Sequence, residues 1–195
     1  MSEPSDSPTL EGTVRPITRW GDPVMHRRLE RITDFDDGLR ALVADMWATM
    51  YAADGVGLAA NQVGVDRAVF VFDCPDESLQ RVKGVVCNPV VVSDEGPTRD
   101  LEDGEEGCLS LPGAFVELAR PNWARVEGFD EHGTPVAYEG DGLLARCLQH
   151  ESDHLDGRVF GDRLPARARK RLYRLHESVA QHYPADWPVT PTTDS

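Results

Sequence analysis

His150 and His154 stand four residues apart in the stretch "LARCLQHESDHLDGRVF", with Glu151 directly after the first histidine. On a helix this spacing turns the two imidazoles about 40° apart and one turn along the axis, so both can reach one ion. Glu151 is offset about 100° from His150 and about 60° from His154, beside such an ion rather than over it. That suits a base acting on a water. The residues just before, "LLARCL", are mostly apolar, so this face is expected to be buried. Two histidines and a glutamate are costly to bury unless they bind something. The pair supplies two ligands, and the third decides the chemistry.

Several residues compete for that third place. One class of metalloprotease extends the motif with a histidine at what is position 160 here, where this chain has Phe160. Another class takes a glutamate from a later helix, and Glu177 is the candidate, although a solvated helix face explains it better. Cys147 lies on the same helix, but two turns, about 10.5 Å of rise, separate it from His154, so it reads as core or pocket wall. Cys108 sits in "GEEGCLSLPG", among glycines and a proline at the end of an acidic stretch. With the two histidines it makes a Cys/His/His set whose fourth position is free for water, the pattern of a catalytic site.

These residues need elements to hold them. From Asp36 to Ala53 the apolar residues Leu39, Leu42, Val43, Met46 and Met50 recur at helical spacing, with Asp34 or Asp36 as cap and Gly55 as stop. A Gly-rich loop, "DGVGLAANQVGV", leads to a strand in "AVFVFD". A second strand is expected in "VKGVVCNPVVVS", with Pro89 marking an edge or bulge. The acidic segment 94–107 reads as an exposed loop, and "WARVEGFDEHGTPVAYE" as a hairpin. "DGLLARCLQHESDHL" reads as a helix ended by Gly157, and a last helix runs from Pro165 to about His182, with Ala168, Leu172, Leu175 and Val179 on one face. The expected class is α+β: antiparallel β-sheets around a central helix carrying the histidine pair, with N-terminal and C-terminal helices. The expected organisation is a flexible tail over 1–14, one catalytic domain over 15–183 and a flexible tail over 184–195.

With 40% hydrophobic and 28% charged residues in 195, the chain has the composition of a soluble globular domain able to bury a core. It contains no apolar run near the ~20 residues that cross a bilayer, and its polar, acidic N-terminus does not read as a secretory signal, so no membrane is expected and the expected compartment is cytoplasmic. A net charge of −14 argues against DNA and general nucleic-acid binding. The charge is uneven, however: residues 163–176 hold six Lys or Arg and no acid, against seven acids and one Arg in 94–106. Cys74, Cys87, Cys108 and Cys147 are expected as buried thiols rather than disulfides.

Three segments together resemble the peptide deformylase family: "GVGLAANQVGV" at 55–65, "EGCLSLPG" at 106–113 and "QHESDHLDG" at 149–157, with "WGDPVMHR" similar to the family's opening segment. The resemblance spans roughly residues 15–175 and implies a hydrolase removing the formyl group from N-formylmethionyl nascent peptides. It implies Cys108, His150 and His154 as ligands of one divalent metal ion, Fe(II) in the cell, with Zn, Ni or Co also compatible. It implies Glu151 as general base and later proton donor, with the Gln62 side chain and the Leu109 N–H as oxyanion donors. Main-chain contacts to substrate are implied at Val56, Gly57 and Gly107, with Val56, Leu143 and Cys147 around the methionine side chain. Glu106 paired with Arg120 is the implied support behind the ligands. Arg146 and Phe115 depart from the family pattern, and the Arg146 stem is expected to line the pocket with its head in water. "GVGLAA" is no dinucleotide fingerprint, because it follows a helix and precedes a strand. Arg167, Arg171 and Arg174 on the last helix form a candidate ribosome contact. A protease using Glu177 is the alternative among enzymes. A catalytically silent ribosome-binding relative is the alternative outside them, and the presence of Glu151 and Gln62 argues against it.

Overall fold

The computed structural model describes residues 11–93 and 100–193. The first helix, α1 (Asp37–Ala52), starts where the Asp36 carboxylate accepts the Leu39 N–H at 2.8 Å, a side-chain cap on an otherwise orphaned donor. It stops as the chain turns through Asp54 at φ 54°, and the Gly55 N–H returns to the Met50 carbonyl. Leu39, Leu42, Val43, Met46 and Met50 are all buried along one face of it.

Seven strands follow: β1 (Gly57–Ala59), β2 (Val69–Pro75), β3 (Arg81–Ser93), β4 (Leu101–Gly107), β5 (Phe115–Pro121), β6 (Trp123–Phe129) and β7 (Pro135–Asp141). Five form an antiparallel sheet in the order β1-β2-β3-β6-β7, while β4 and β5 pair with each other. In β2 the period of two sorts the core. Val69 and Val71 pack with α1, and Phe70 and Phe72 pack on the other side with the second helix, α2 (Gly142–Leu155). A strand covered on both faces reads as a continuous apolar run. At Asn88–Pro89 the β3–β6 register shifts, with Asn88 at φ 53°. The Asn88 amide there exchanges two 2.8 Å hydrogen bonds with the Ile32 backbone.

Every residue of α2 from Leu144 to Leu155 is buried, charged ones included. The five-stranded sheet covers one side, and β5 also lies against the helix. Gly157, at φ 74°, ends the segment with its Cα against the Arg27 backbone, where a side chain has no room. The third helix, α3 (Ala166–Val179), continues as a 3-10 turn over Ala180–His182 and packs Leu172 against Val116, Leu118 and Phe160.

The α+β class with antiparallel sheets and three helices is what the patterns imply. Two expectations are corrected. Residues 101–107 form a strand rather than a loop. Their acids obscured the pattern, yet Glu106 points inward while Glu102, Asp103 and Glu105 face solvent, and all are in register with β5. The remainder of the expected loop, 94–99, lies outside the described residues. The expected tails are also too long. Thr13 N–H bonds Asp45 Oδ1 on α1 at 2.7 Å, and Trp187 is buried in the α1 core with its carbonyl on Ile17 N–H at 2.8 Å. Among the described residues no helix is long and apolar enough to cross a membrane.

Candidate metal centre and substrate cleft

Helix α2 presents His150 and His154 one turn apart, and the turn after β4 brings Cys108 to them. The two Nε2 atoms are 3.1 Å apart, and Cys108 Sγ is 3.3 Å from His154 Nε2. All three groups are buried, with their ligand atoms within 4.8 Å of one another. Tetrahedral coordination at usual Zn–N and Zn–S lengths sets N···N and N···S edges of about 3.3–3.6 Å. Two of the cluster's edges, at 3.1 and 3.3 Å, are already near that size.

Electrostatics supports the same fit. Burial alone lowers the His150 pKa, but hydrogen bonds with Cys108 and Glu106 outweigh it and hold the group well above the imidazole range. His154 is driven well below that range by burial and by the charge on His150. Two imidazoles and a thiol face one another with only protons to share, and a divalent ion satisfies all three at once. His150 Nδ1 meets Glu106 Oε1 at 2.7 Å, which directs its Nε2 at the cluster.

Glu151 is buried beside the cluster, and among the described residues its Oε2 has no hydrogen-bond partner. Its pKa is raised to about 7, first by burial, opposed by the His150 charge and reinforced by Glu106. Space for it is left by Gly57, where a Cβ would fall on Glu151 Oε1 and lie 2.9 Å from Cys147 Sγ. Gln62, in a 3-10 turn over Ala60–Val63, accepts the Ala59 N–H through Oε1 at 2.9 Å. That leaves its amino group toward Ser110 Oγ at 3.3 Å and Cys108 Sγ at 3.6 Å.

A cleft of about 730 Å³ opens over these groups. Val56, Gly57, Gly107, Leu109, Leu143 and Cys147 all line it, together with Gln62, Glu106, Cys108, His150 and Glu151. Both β1 and β4 are sheet edges, so an extended chain lying between Gly57 and Gly107 meets two strand borders. The Val56 carbonyl accepts the Asp73 N–H at 2.8 Å, and the exposed Val56 side chain stands at the rim.

Behind the cluster, Arg120 donates to both Glu106 oxygens, at 2.6 and 2.7 Å, and to Asp153 at 3.1 Å. Burial raises the Glu106 pKa, but hydrogen bonds from Arg120 and His150 outweigh it and hold the carboxyl well below its usual range. The Arg146 head does not reach water. It is buried and donates to Glu106 Oε2 at 3.0 Å, the Leu118 carbonyl at 2.8 Å and the Glu102 carbonyl at 3.0 Å. Gly104 makes this possible, since a Cβ there would come within 2.8 Å of Arg146 Nη2. No local sequence signal announced this pairing, because Gly104 and Arg146 are distant in the chain. Phe115 stands exposed at the rim. Glu177 is exposed on α3 beside Arg169, Lys170 and Tyr173, away from the histidines, which removes the alternative third ligand. The four cysteines are buried free thiols.

The chain matches the family model for polypeptide deformylase over residues 14–170. It is 51% identical to peptide deformylase 1 of Streptomyces avermitilis over 173 residues, 89% of this chain and 80% of that protein. It is 52% identical to peptide deformylase 2 of Streptomyces coelicolor over 175 residues, 90% of this chain and 96% of the other. The crystal structure of a peptide deformylase from Legionella pneumophila superposes with a TM-score of 0.75 at 37% identity, covering 85% of this chain and 95% of that one. That of peptide deformylase from Thermus thermophilus gives 0.71 at 41% identity, covering 85% and 99%. The match runs from the first residues packed on α1, through the cysteine turn and the histidine helix, into α3, and on that extent the chain belongs to the polypeptide deformylase family.

Proposed function

We propose that Cys108, His150 and His154 hold one divalent metal ion, and that Glu151 is the proton-transfer group of a hydrolase releasing formate from N-formylmethionyl nascent chains. The reaction itself comes with the family. The division of labour rests on one observation above the others: the unpartnered Glu151 Oε2 buried beside the Cys/His/His cluster.

A metal bound there supplies Lewis acidity, making a water more acidic and polarising the formyl oxygen. Glu151 takes the proton from the attacking water and returns it to the departing amine. The Gln62 amino group and the Leu109 N–H donate to the oxyanion as charge develops on the formyl oxygen. Val56, Leu143 and Cys147 receive the methionine side chain, and Gly57 and Gly107 let the peptide backbone approach the two strand edges. Glu106, held by Arg120, keeps His150 in its ligating orientation. One thiolate and two imidazoles suit Fe(II), and also Zn, Ni or Co. Fe(II) is the assignment for the cell, with Cys108 then exposed to oxidation. The exposed Arg167, Arg171 and Arg174 on α3 support a transient ribosome contact, with the enzyme acting in the cytoplasm where nascent chains emerge.

The test is formate release from formyl-Met-Ala by anaerobically prepared, metal-loaded protein, beside Glu151→Gln. The wild type releases formate, and the variant loses activity by about 10²–10⁴ while keeping its metal. No release from the wild type, or full activity in the variant, refutes the assignment.

A further inference from the structure

The cleft does not end at the catalytic groups. Its far side is built by the segment after α3, where Tyr183, Trp187, Pro188, Pro191 and Thr192 face the same cavity as Glu151 and Gln62. This segment is anchored along its length. Arg19 Nη2 donates to the Pro184 carbonyl at 2.9 Å, and Ile17 N–H to the Trp187 carbonyl at 2.8 Å. Thr190 Oγ1 bonds Asp186 at 2.8 Å, and Thr193 N–H reaches back to the His182 carbonyl at 3.0 Å. Tyr183 and Trp187 pack edge to face at 5.2 Å, with the Trp187 ring seated in the α1 core. The result is a fixed surface, largely apolar, facing a cleft that one formylmethionyl group does not fill. A fixed surface loses little entropy when a peptide settles on it.

We propose that residues 183–192 are a specificity-determining wall that favours large apolar side chains in the residues following the formylated methionine. The occupant is the substrate's own chain, because the wall lines the same cavity as Gln62, His150 and Glu151. Remote contacts of this kind are where binding energy from non-reacting parts of a substrate is gathered. The inference rests on the hydrolase reading given above.

The experiment compares kcat/KM for two tripeptides of equal length, formyl-Met-Phe-Phe and formyl-Met-Ala-Ala, on the metal-loaded enzyme. The variants are a chain ending at Val189, which keeps Trp187 and its Ile17 contact, and the full chain with Pro191→Asp, a change at an exposed position. Thermal melting of each checks that the fold persists. The wild type prefers the aromatic peptide, and both variants reduce that preference by about fivefold, the scale of partial burial of one aromatic ring. An unchanged ratio, or an equal loss on both peptides, overturns the inference and leaves the hydrolase reading standing. No formate from either peptide with the wild type overturns both.

Discussion

Arg146 Nη1 lies 3.0 Å from Glu106 Oε2, on the carboxylate whose other oxygen meets His150 Nδ1 at 2.7 Å. A residue on α2 therefore braces the β4 carboxylate that orients a candidate metal ligand. Arg120 completes the ring from β5 and passes it on to Asp153. Two buried carboxylates are matched by buried guanidinium groups, the condition under which charges survive in a core. Arg146 differs from Arg120 in also holding the carbonyls of Leu118 and Glu102, so it ties both strands of the β4–β5 hairpin to the helix.

Arg146→Ile removes the guanidinium donors from the Leu118 and Glu102 carbonyls, while Glu106 Oε2 keeps its hydrogen bond from Arg120. The cost expected from leaving buried acceptors unpaired is about 1–3 kcal/mol in chemical denaturation. Gly104→Ala pushes a methyl group against the guanidinium and also destabilises. In the double variant the guanidinium that the methyl would strike is gone, so the two effects fall short of their sum by about 1 kcal/mol. Strict additivity would disprove the clamp.

How much of this was legible beforehand follows from distance along the chain. The His150–His154 pair and the Glu151 offset are consequences of helix geometry within five residues, and so are the Asp36 cap and the α1 apolar stripe. The 3.3 Å approach of Cys108 to His154 depends on how β4 and β5 lie over α2, which no local pattern encodes. The residue types offered Cys108 as one candidate third ligand, and the motif resemblance pointed to it. β4 was hidden because its acids carry turn-like composition, and its register is set by β5 and by arginines far away in sequence. The Pro- and Thr-rich end looked loose by composition, yet one aromatic, Trp187, secures it in the core. A single buried ring outweighs the polarity of its neighbours.

Asp73 gives a pH dependence away from the metal cluster. Its pKa is lowered chiefly by the hydrogen bond from Arg81, against burial, with help from the Tyr51 hydroxyl at 2.7 Å. A depressed carboxyl stabilises the fold above the unfolded pKa of about 3.9, and that contribution is lost as pH falls through the lower folded value. The Arg81 side chain is 68% exposed, so solvent screening limits the effect to about 1 kcal/mol or less. Asp73→Asn is accordingly less stable than wild type at pH 7, and the gap closes below about pH 4. A gap that stays constant down to pH 2 excludes this linkage.

Cys108→Ser tests the ligand set without activity. The variant keeps the fold, because Cys108 packs as a small side chain against Leu111 and Phe160, but its affinity for Co(II) falls by at least about tenfold. The cobalt–thiolate absorption band disappears. Retention of that band would place the thiol outside the metal's coordination sphere.

Gln62 separates positioning from chemistry. Its Oε1 holds the Ala59 N–H, while its amino group faces Cys108 and Ser110. Gln62→Glu keeps the shape and the acceptor but removes the donor proposed for the oxyanion. The expected result is a kcat reduced by about 10²–10³, with KM and metal content close to wild type. Gln62→Ala removes the acceptor as well, so it also lowers the melting temperature. Steady-state kinetics on formyl-Met-Ala with metal analysis of the same samples decides between them. If Gln62→Glu raises KM and spares kcat, Gln62 binds the ground state and the oxyanion rests on the Leu109 N–H and the metal.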